Sequence, residues 1–212
     1  NVGWPECGEI DIMEQDGANK QLVYGTFHWA DNSGQQASYG LVKDISSLNI
    51  SDLTSEELRS IIEEAKSRKL NRKNLNKSEP DKDKPFEGKS MAMIFEKPST
   101  RTRMSFDIAV KQLGGSSIIL NPDGIHYGKG DETLKDTAKV LTEYVDIVML
   151  RTSSHKNLVE FGKHLEIPII NGLSDQSHPC QIMSDILTFE ETKGSIQDKT
   201  IAWLGDGNNN MS

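Results

Sequence analysis

Three short runs concentrate the side chains of this chain that can do chemistry. Ser99-Thr100-Arg101-Thr102-Arg103 follows Pro98 directly after an apolar run. Pro98 pre-sets a turn, and Ser99 sits where a helix N-cap belongs. The backbone N–H groups that follow have no partner inside the helix and point outward with its positive end, so they can receive an anion. Hydroxyls of Ser99, Thr100 and Thr102 add donors, and Arg101 and Arg103 add permanently charged forks suited to phosphate oxygens. The second run, His178-Pro179-Cys180-Gln181, has Pro at the first helical position and sets an imidazole and an amide one turn apart. Such a pair can face the same side and polarise a carbonyl. Cys180 reads as a packed thiol, since no second base stands beside it. The third run holds Glu9, Asp11 and Glu14. On a regular strand Glu9 and Asp11 share a face, and a β-bulge after Ile12 brings Glu14 round to join them. Carboxylates about 5–5.5 Å apart suit retaining glycoside hydrolysis.

The elements that must hold these groups change character along the chain. Residues 1–40 are rich in Gly, Asn, Gln and aromatics, and read as a loose β-hairpin with turn chemistry at Asp16-Gly17. Two strands do not make a stable sheet unaided, so this segment is not expected to fold by itself. Thr54 with Glu57 then forms a capping box, and Leu58, Ile61, Ile62 and Ala65 recur at helical spacing. Residues 66–85 read as a polar loop. Beyond it, short apolar runs at 91–95, 117–120, 146–150, 168–170 and 200–204 alternate with amphipathic stretches near 100–113, 132–144, 155–165 and 179–192. Continuous apolar strands separated by helices predict an α/β fold, a parallel sheet with helices on both faces. Arg151 then falls at the end of a strand, on the carboxyl edge where such sheets bind ligands. The Gly-rich loop around His126 connects the second strand to the next helix.

Bulk properties narrow the partners. With 24 Lys and Arg against 32 Asp and Glu, the net charge of −8 argues against nucleic acid or an anionic membrane as the main partner. A local basic cluster still suits a small anion. No apolar stretch approaches the roughly 18 residues that span a bilayer, and no signal-peptide-like segment opens the chain. The two cysteines, Cys7 and Cys180, fall in dissimilar segments, which argues against a disulfide framework and fits a cytoplasmic setting for the larger part.

From about residue 48 to Ser212 the chain resembles the N-terminal half of ornithine carbamoyltransferases. The motifs that carry the resemblance are Ser99-Thr100-Arg101-Thr102, Ile125-His126-Tyr127-Gly128, Asp136-Thr137-Ala138, Arg151, His178-Pro179-Cys180-Gln181 and Gly205-Asp206-Gly207-Asn208-Asn209-Asn210-Met211. The resemblance implies a carbamoyl-phosphate-binding domain over 41–200 and the start of an ornithine-binding domain over 201–212. It implies that Ser99, Thr100, Arg101 and Thr102 bind the phosphate, and that Arg151, His178 and Gln181 bind the carbamoyl group. His126 would reach a neighbouring subunit's site in a homotrimer, and Asn209 or Asn210 would contact ornithine. Arg101, Arg151, His178 and Gln181 would be the catalytic set, with no metal and no cofactor. The ornithine-binding half would lie beyond Ser212, so the chain by itself is expected to bind carbamoyl phosphate with turnover near background.

Residues 1–40 resemble a different family. Trp4-Pro5-Glu6-Cys7-Gly8-Glu9-Ile10-Asp11-Ile12-Met13-Glu14 with Gly25-Thr26-Phe27-His28-Trp29 is similar to laminarinase-like members of glycoside hydrolase family sixteen. That resemblance implies Glu9 as nucleophile, Asp11 as its helper and Glu14 as acid/base, on a β-sandwich whose other strands are not in this chain. The chain therefore reads as pieces of two enzymes joined between Ser38 and Asp44. The alternatives to a carbamoyltransferase are an endo-β-1,3-glucanase-like fragment, or a non-catalytic chimeric fragment that only binds or associates.

Overall fold

Strands and helices alternate through residues 53–121 and 132–202, the parts of the chain that the computed structural model describes. In chain order the elements are α1 (Ser55–Asn71), β1 (Ser90–Phe95), α2 (Thr100–Gln112), β2 (Ser116–Leu120), α3 (Leu134–Tyr144), β3 (Ile147–Arg151), α4 (His155–Gly162), β4 (Ile169–Asn171) and α5 (Pro179–Lys193). The four strands form one parallel sheet in the order β2-β1-β3-β4. In register, Met91 of β1 stands beside Ser117 on one side and Ile147 on the other, while Phe95 pairs with Arg151.

The period of two along a strand sorts the apolar residues to two faces. Met91, Met93 and Phe95 of β1 join Ile147 and Met149 of β3 in a core with Phe106, Ala109, Val110 and Leu113 from α2 and its end. Ala92 and Ile94 join Val148 and Leu150 on the other face, under Ala138 and Leu141 of α3 and Leu158 and Phe161 of α4. Cys180 of α5 lies with the α2 face. Fully burying a Val, Leu, Ile, Phe or Met side chain contributes about 1.5–3 kcal/mol. The expected two-faced cover is therefore present on β1 and β3.

This order creates a switch point. From β1 the chain runs through α2 on one face to the edge strand β2. From β3, the neighbour on the other side, it runs through α4 on the opposite face. A crevice opens between the carboxyl ends of two such strands, where their connections part, and open α/β sheets bind ligands there. The helix start after β1 and the end of β3 both border it.

Some elements differ from expectation. The capping box at Thr54 and Glu57 forms, and Ile61, Ile62 and Ala65 are buried. However, α1 continues to Asn71, through part of what reads as polar loop. Its charged last turns are held by partners distant in sequence: Lys66 Nζ lies 2.8 Å from Glu190 Oε2, Lys69 Nζ 2.6 Å from Glu191 and Arg68 Nη1 2.8 Å from Asp81. Arg72, wholly buried, pairs with Asp81. No apolar periodicity announces a helix that is fastened by ion pairs. The apolar run of β2 lies at the sheet edge, leaving Ile118 and Ile119 exposed among the described residues. Residues 200–202 are not a strand, because no described strand pairs with them, and Ile201 is exposed. The expected hairpin within 1–40, the loop carrying His126 and the segment carrying Asn209 and Asn210 lie outside the described residues.

Candidate active site

At the end of β1 the chain turns through Glu96–Pro98 and enters α2, with Ser99 as N-cap in an extended conformation. The Ser99 side chain makes no capping hydrogen bond. The first-turn N–H groups of α2 are thus left by both the helix and its cap residue, as an anion site requires. Thr100 and Arg101 are exposed in that first turn, and Ser99 is half-buried. Glu96 fastens the turn to the end of β3: its backbone N–H donates to the Arg151 carbonyl at 2.9 Å, and its carboxylate accepts from the Thr152 hydroxyl and the Ser153 N–H.

Thr102 is buried, with its Oγ1 accepting from Arg151 Nη1 at 3.0 Å. The same Nη1 reaches the Gly172 carbonyl at 3.4 Å. The arginine at the end of β3 is therefore spread between the first turn of α2 and the end of β4. Arg103, expected among the anion donors, has other work. Its Nη2 donates to Asn121 Oδ1 at 2.8 Å, and its guanidinium lies 5.1 Å from the centroid of the Phe95 ring. Three residues follow one another in sequence, but the 100° step of the helix sends their side chains to different surroundings.

At the end of β4, Asn171 organises a tight loop. Its Oδ1 accepts from the Leu173 N–H at 3.0 Å and its Nδ2 donates to Ser177 Oγ at 3.1 Å. Leu173 holds φ of 135°, which a branched side chain adopts only when its surroundings over-determine it. The bond from the Leu173 N–H to Asn171 Oδ1 and the bond from the Thr152 N–H to the Leu173 carbonyl supply that constraint. The loop delivers His178 to the N-cap of α5, with Pro179 following at the helix start.

His178 is buried, and its Nδ1 has no hydrogen-bond partner among the described residues. Burial, with the Arg151 charge nearby as the smaller cause, pushes its pKa down from 6.5 to about 3. The imidazole is therefore neutral near pH 7, and one of its nitrogens carries a hydrogen that can be given to a carbonyl oxygen. Gln181 is buried one turn along α5, donating from Nε2 to Asp185 Oδ1 at 3.2 Å. Cys180 is packed as expected, its Sγ directed to the Asn171 carbonyl at 3.4 Å.

The structure thus gathers Thr102, Arg151, Gly172 and His178 beside the N-terminus of α2, with Gln181 on the adjoining turn. His126, Asn209, Asn210, Glu9, Asp11 and Glu14 lie outside the described residues. Sequence reasoning overlooked Glu96, Asn171 and Asp185, which hydrogen-bond to Thr152, Ser177 and Gln181 respectively. Only Asp185 left a signal in the sequence, its spacing of four from Gln181. Among the described residues no cluster of three or more His, Cys, Asp or Glu is placed to hold a metal ion, and no helix is long and apolar enough to cross a membrane.

Fold and site together define a class: a doubly wound α/β domain with a helix end, a guanidinium and a neutral imidazole at its switch point, equipped to receive a small oxyanion. Residues 46–191 match the family model "Aspartate/ornithine carbamoyltransferase, carbamoyl-P binding domain", and the chain belongs to that family. It is 52% identical over 162 residues to ornithine carbamoyltransferase of Rhizobium meliloti and 50% identical to that of Agrobacterium fabrum, in each case over 76% of this chain. These alignments cover 52% and 51% of the relatives, so the chain spans about half the length of the curated relatives it matches. Among solved structures, ornithine carbamoyltransferase from Pyrococcus furiosus superimposes with a TM-score of 0.71 at 44% identity, covering 77% of this chain and 50% of that one. The enzyme from Burkholderia thailandensis gives 0.70 at 37% identity, covering 77% and 55%.

Proposed function

We propose that this chain is the carbamoyl-phosphate-binding part of an ornithine carbamoyltransferase, and that Ser99, Thr100, Arg101, Thr102, Arg151, His178 and Gln181 hold that ligand. The observation that carries the reading is the meeting of Arg151 with Thr102 of α2 and with the loop that ends at the buried, neutral His178. Phosphate sits on the first turn of α2, where N–H groups, hydroxyls and Arg101 converge. The carbamoyl carbonyl lies toward Arg151 and His178. In the parent reaction the ornithine side-chain amine attacks the carbonyl carbon, a C–N bond forms, the C–O bond to phosphate breaks and the amine loses a proton. The products are citrulline and phosphate. Charge grows on the carbonyl oxygen and on the departing phosphate, and donors fixed in place by the fold stabilise both. A neutral His178 suits this role, since it donates a hydrogen bond without repelling Arg151.

The division into a leading glycosidase-like segment at 1–40, a carbamoyl-phosphate domain at 41–200 and the start of an ornithine-binding domain at 201–212 belongs to the same proposal. It is supported by a family match that opens at residue 46. His126 as a contact to a neighbouring subunit, Asn209 or Asn210 as ornithine contacts, a homotrimeric parent and a cytoplasmic setting complete it. Isothermal titration of the chain with carbamoyl phosphate, beside Arg101→Ala, tests the reading. Saturable heat that the variant loses is the expected result. A folded chain that gives no heat overturns it.

A further inference from the structure

The Gln181 amide has a donor end and an acceptor end, and the site uses them differently. Nε2 donates to Asp185 Oδ1 at 3.2 Å, one turn further along α5. A carboxylate offers only acceptors, so this contact turns the amide nitrogen toward Asp185 and the amide oxygen away from it. The reversed amide would set oxygen against carboxylate oxygen in a place where Gln181 is only 7% exposed.

We propose that Asp185 is a positioning residue: it holds the Gln181 amide so that the oxygen is presented to the carbamoyl NH2 group, letting the site tell carbamoyl phosphate from inorganic phosphate. This rests on the carbamoyl-phosphate reading above. Inorganic phosphate offers no N–H, so its binding at the start of α2 does not depend on which way the amide faces. The carbamoyl group carries two N–H donors, and an amide presenting its own NH2 group would meet them donor to donor.

The test is calorimetric titration of the full chain with carbamoyl phosphate and, separately, with inorganic phosphate. The variants are Asp185→Ala, Asp185→Asn, Gln181→Ala and the Gln181→Ala/Asp185→Ala pair, each checked for folding by circular dichroism. Asp185→Ala is expected to weaken carbamoyl phosphate about tenfold, as loss of one charge-assisted hydrogen bond does, and to change inorganic phosphate by less than about twofold. Asp185→Asn, which accommodates either amide orientation, is expected to cost about threefold, again for carbamoyl phosphate alone. It also carries the test if the alanine variant does not fold. In the Gln181→Ala background, removing Asp185 adds no further loss. Equal losses for both ligands, or a further loss without Gln181, would mean that Asp185 merely supports α5, and the inference fails. If the parent binds both ligands and neither Asp185 variant alters carbamoyl phosphate affinity, the inference alone falls. If the parent binds neither ligand, the carbamoyl-phosphate reading falls with it.

Discussion

Replacing Thr102 by Val removes a hydroxyl at nearly constant shape from a side chain that is 3% exposed. That hydroxyl accepts the 3.0 Å bond from Arg151, whose Nη1 then keeps only the longer 3.4 Å approach to the Gly172 carbonyl of the two. A hydrogen bond to a charged group contributes about 1.5–3 kcal/mol, and a half-buried guanidinium recovers part of that from water, leaving about 1–2 kcal/mol. Both residues are β-branched, so helix propensity in α2 barely changes. Urea unfolding of Thr102→Val is therefore expected to show a stability loss of about 1–2 kcal/mol, and titration with carbamoyl phosphate a weakening of about tenfold, as Arg151 drifts from its aim. Thr102→Ser keeps the acceptor and should bind within about threefold of the parent. A direct contact of the hydroxyl with phosphate would give a similar first result, so the pair with Arg151→Met separates the two. If Thr102 acts through Arg151, the valine adds little once Arg151 is gone. Unchanged binding in Thr102→Val, or a serine variant as weak as the valine one, would refute the reasoning.

Two further consequences follow from the charges. Glu190 bridges α5 to Arg59 and Lys66 of α1, and the Arg59 hydrogen bond foremost holds its pKa down from 4.5 to about 2. A depressed carboxylate stabilises above its unfolded value, so this contribution is complete above about pH 5 and is lost as pH falls through about 2. Glu190→Gln should cost about 1–2 kcal/mol in urea unfolding at pH 7, and the gap to the parent should close in acid; a gap independent of pH counts against it. His178, pushed down from 6.5 to about 3, is neutral in the folded chain, while the unfolded chain takes up a proton between those values. Its stabilising contribution is thus present above pH 6.5 and is lost as pH falls toward 3, and its ring resonances should stay flat in NMR titration from pH 8 to 5. A midpoint near 6.5 would show that the ring is not buried beside Arg151.

Several features were legible in the residues because they rest on local chemistry. The capping box at Thr54 and Glu57 needs only its own turn. Pro98 and Ser99 mark the start of α2 for steric reasons that act within a few bonds. Short apolar runs between amphipathic stretches announce a buried parallel sheet, since strands covered on both faces leave no polar positions. The motifs around Ser99, Arg151 and His178 offered candidate side chains for the same reason: type and spacing decide what a helix start or a strand end can present to a ligand.

Tertiary structure decided what no local rule reaches. The order β2-β1-β3-β4 sets the crevice between β1 and β3, and through it brings Arg151 to Thr102, residues 49 apart in sequence. It leaves β2 at an edge although its sequence looks buried, and it lengthens α1 through ion pairs to α5 and to the following loop. Arg103 carries the same charge as Arg101, yet packing turns it to Phe95 and Asn121. His178 stays neutral well below its ordinary value of 6.5 because the fold buries it near the Arg151 guanidinium, surroundings that no local rule supplies. Sequence determines which groups are available; desolvation and long-range pairing, which exist only once the chain is folded, determine their charge, their direction and their partners.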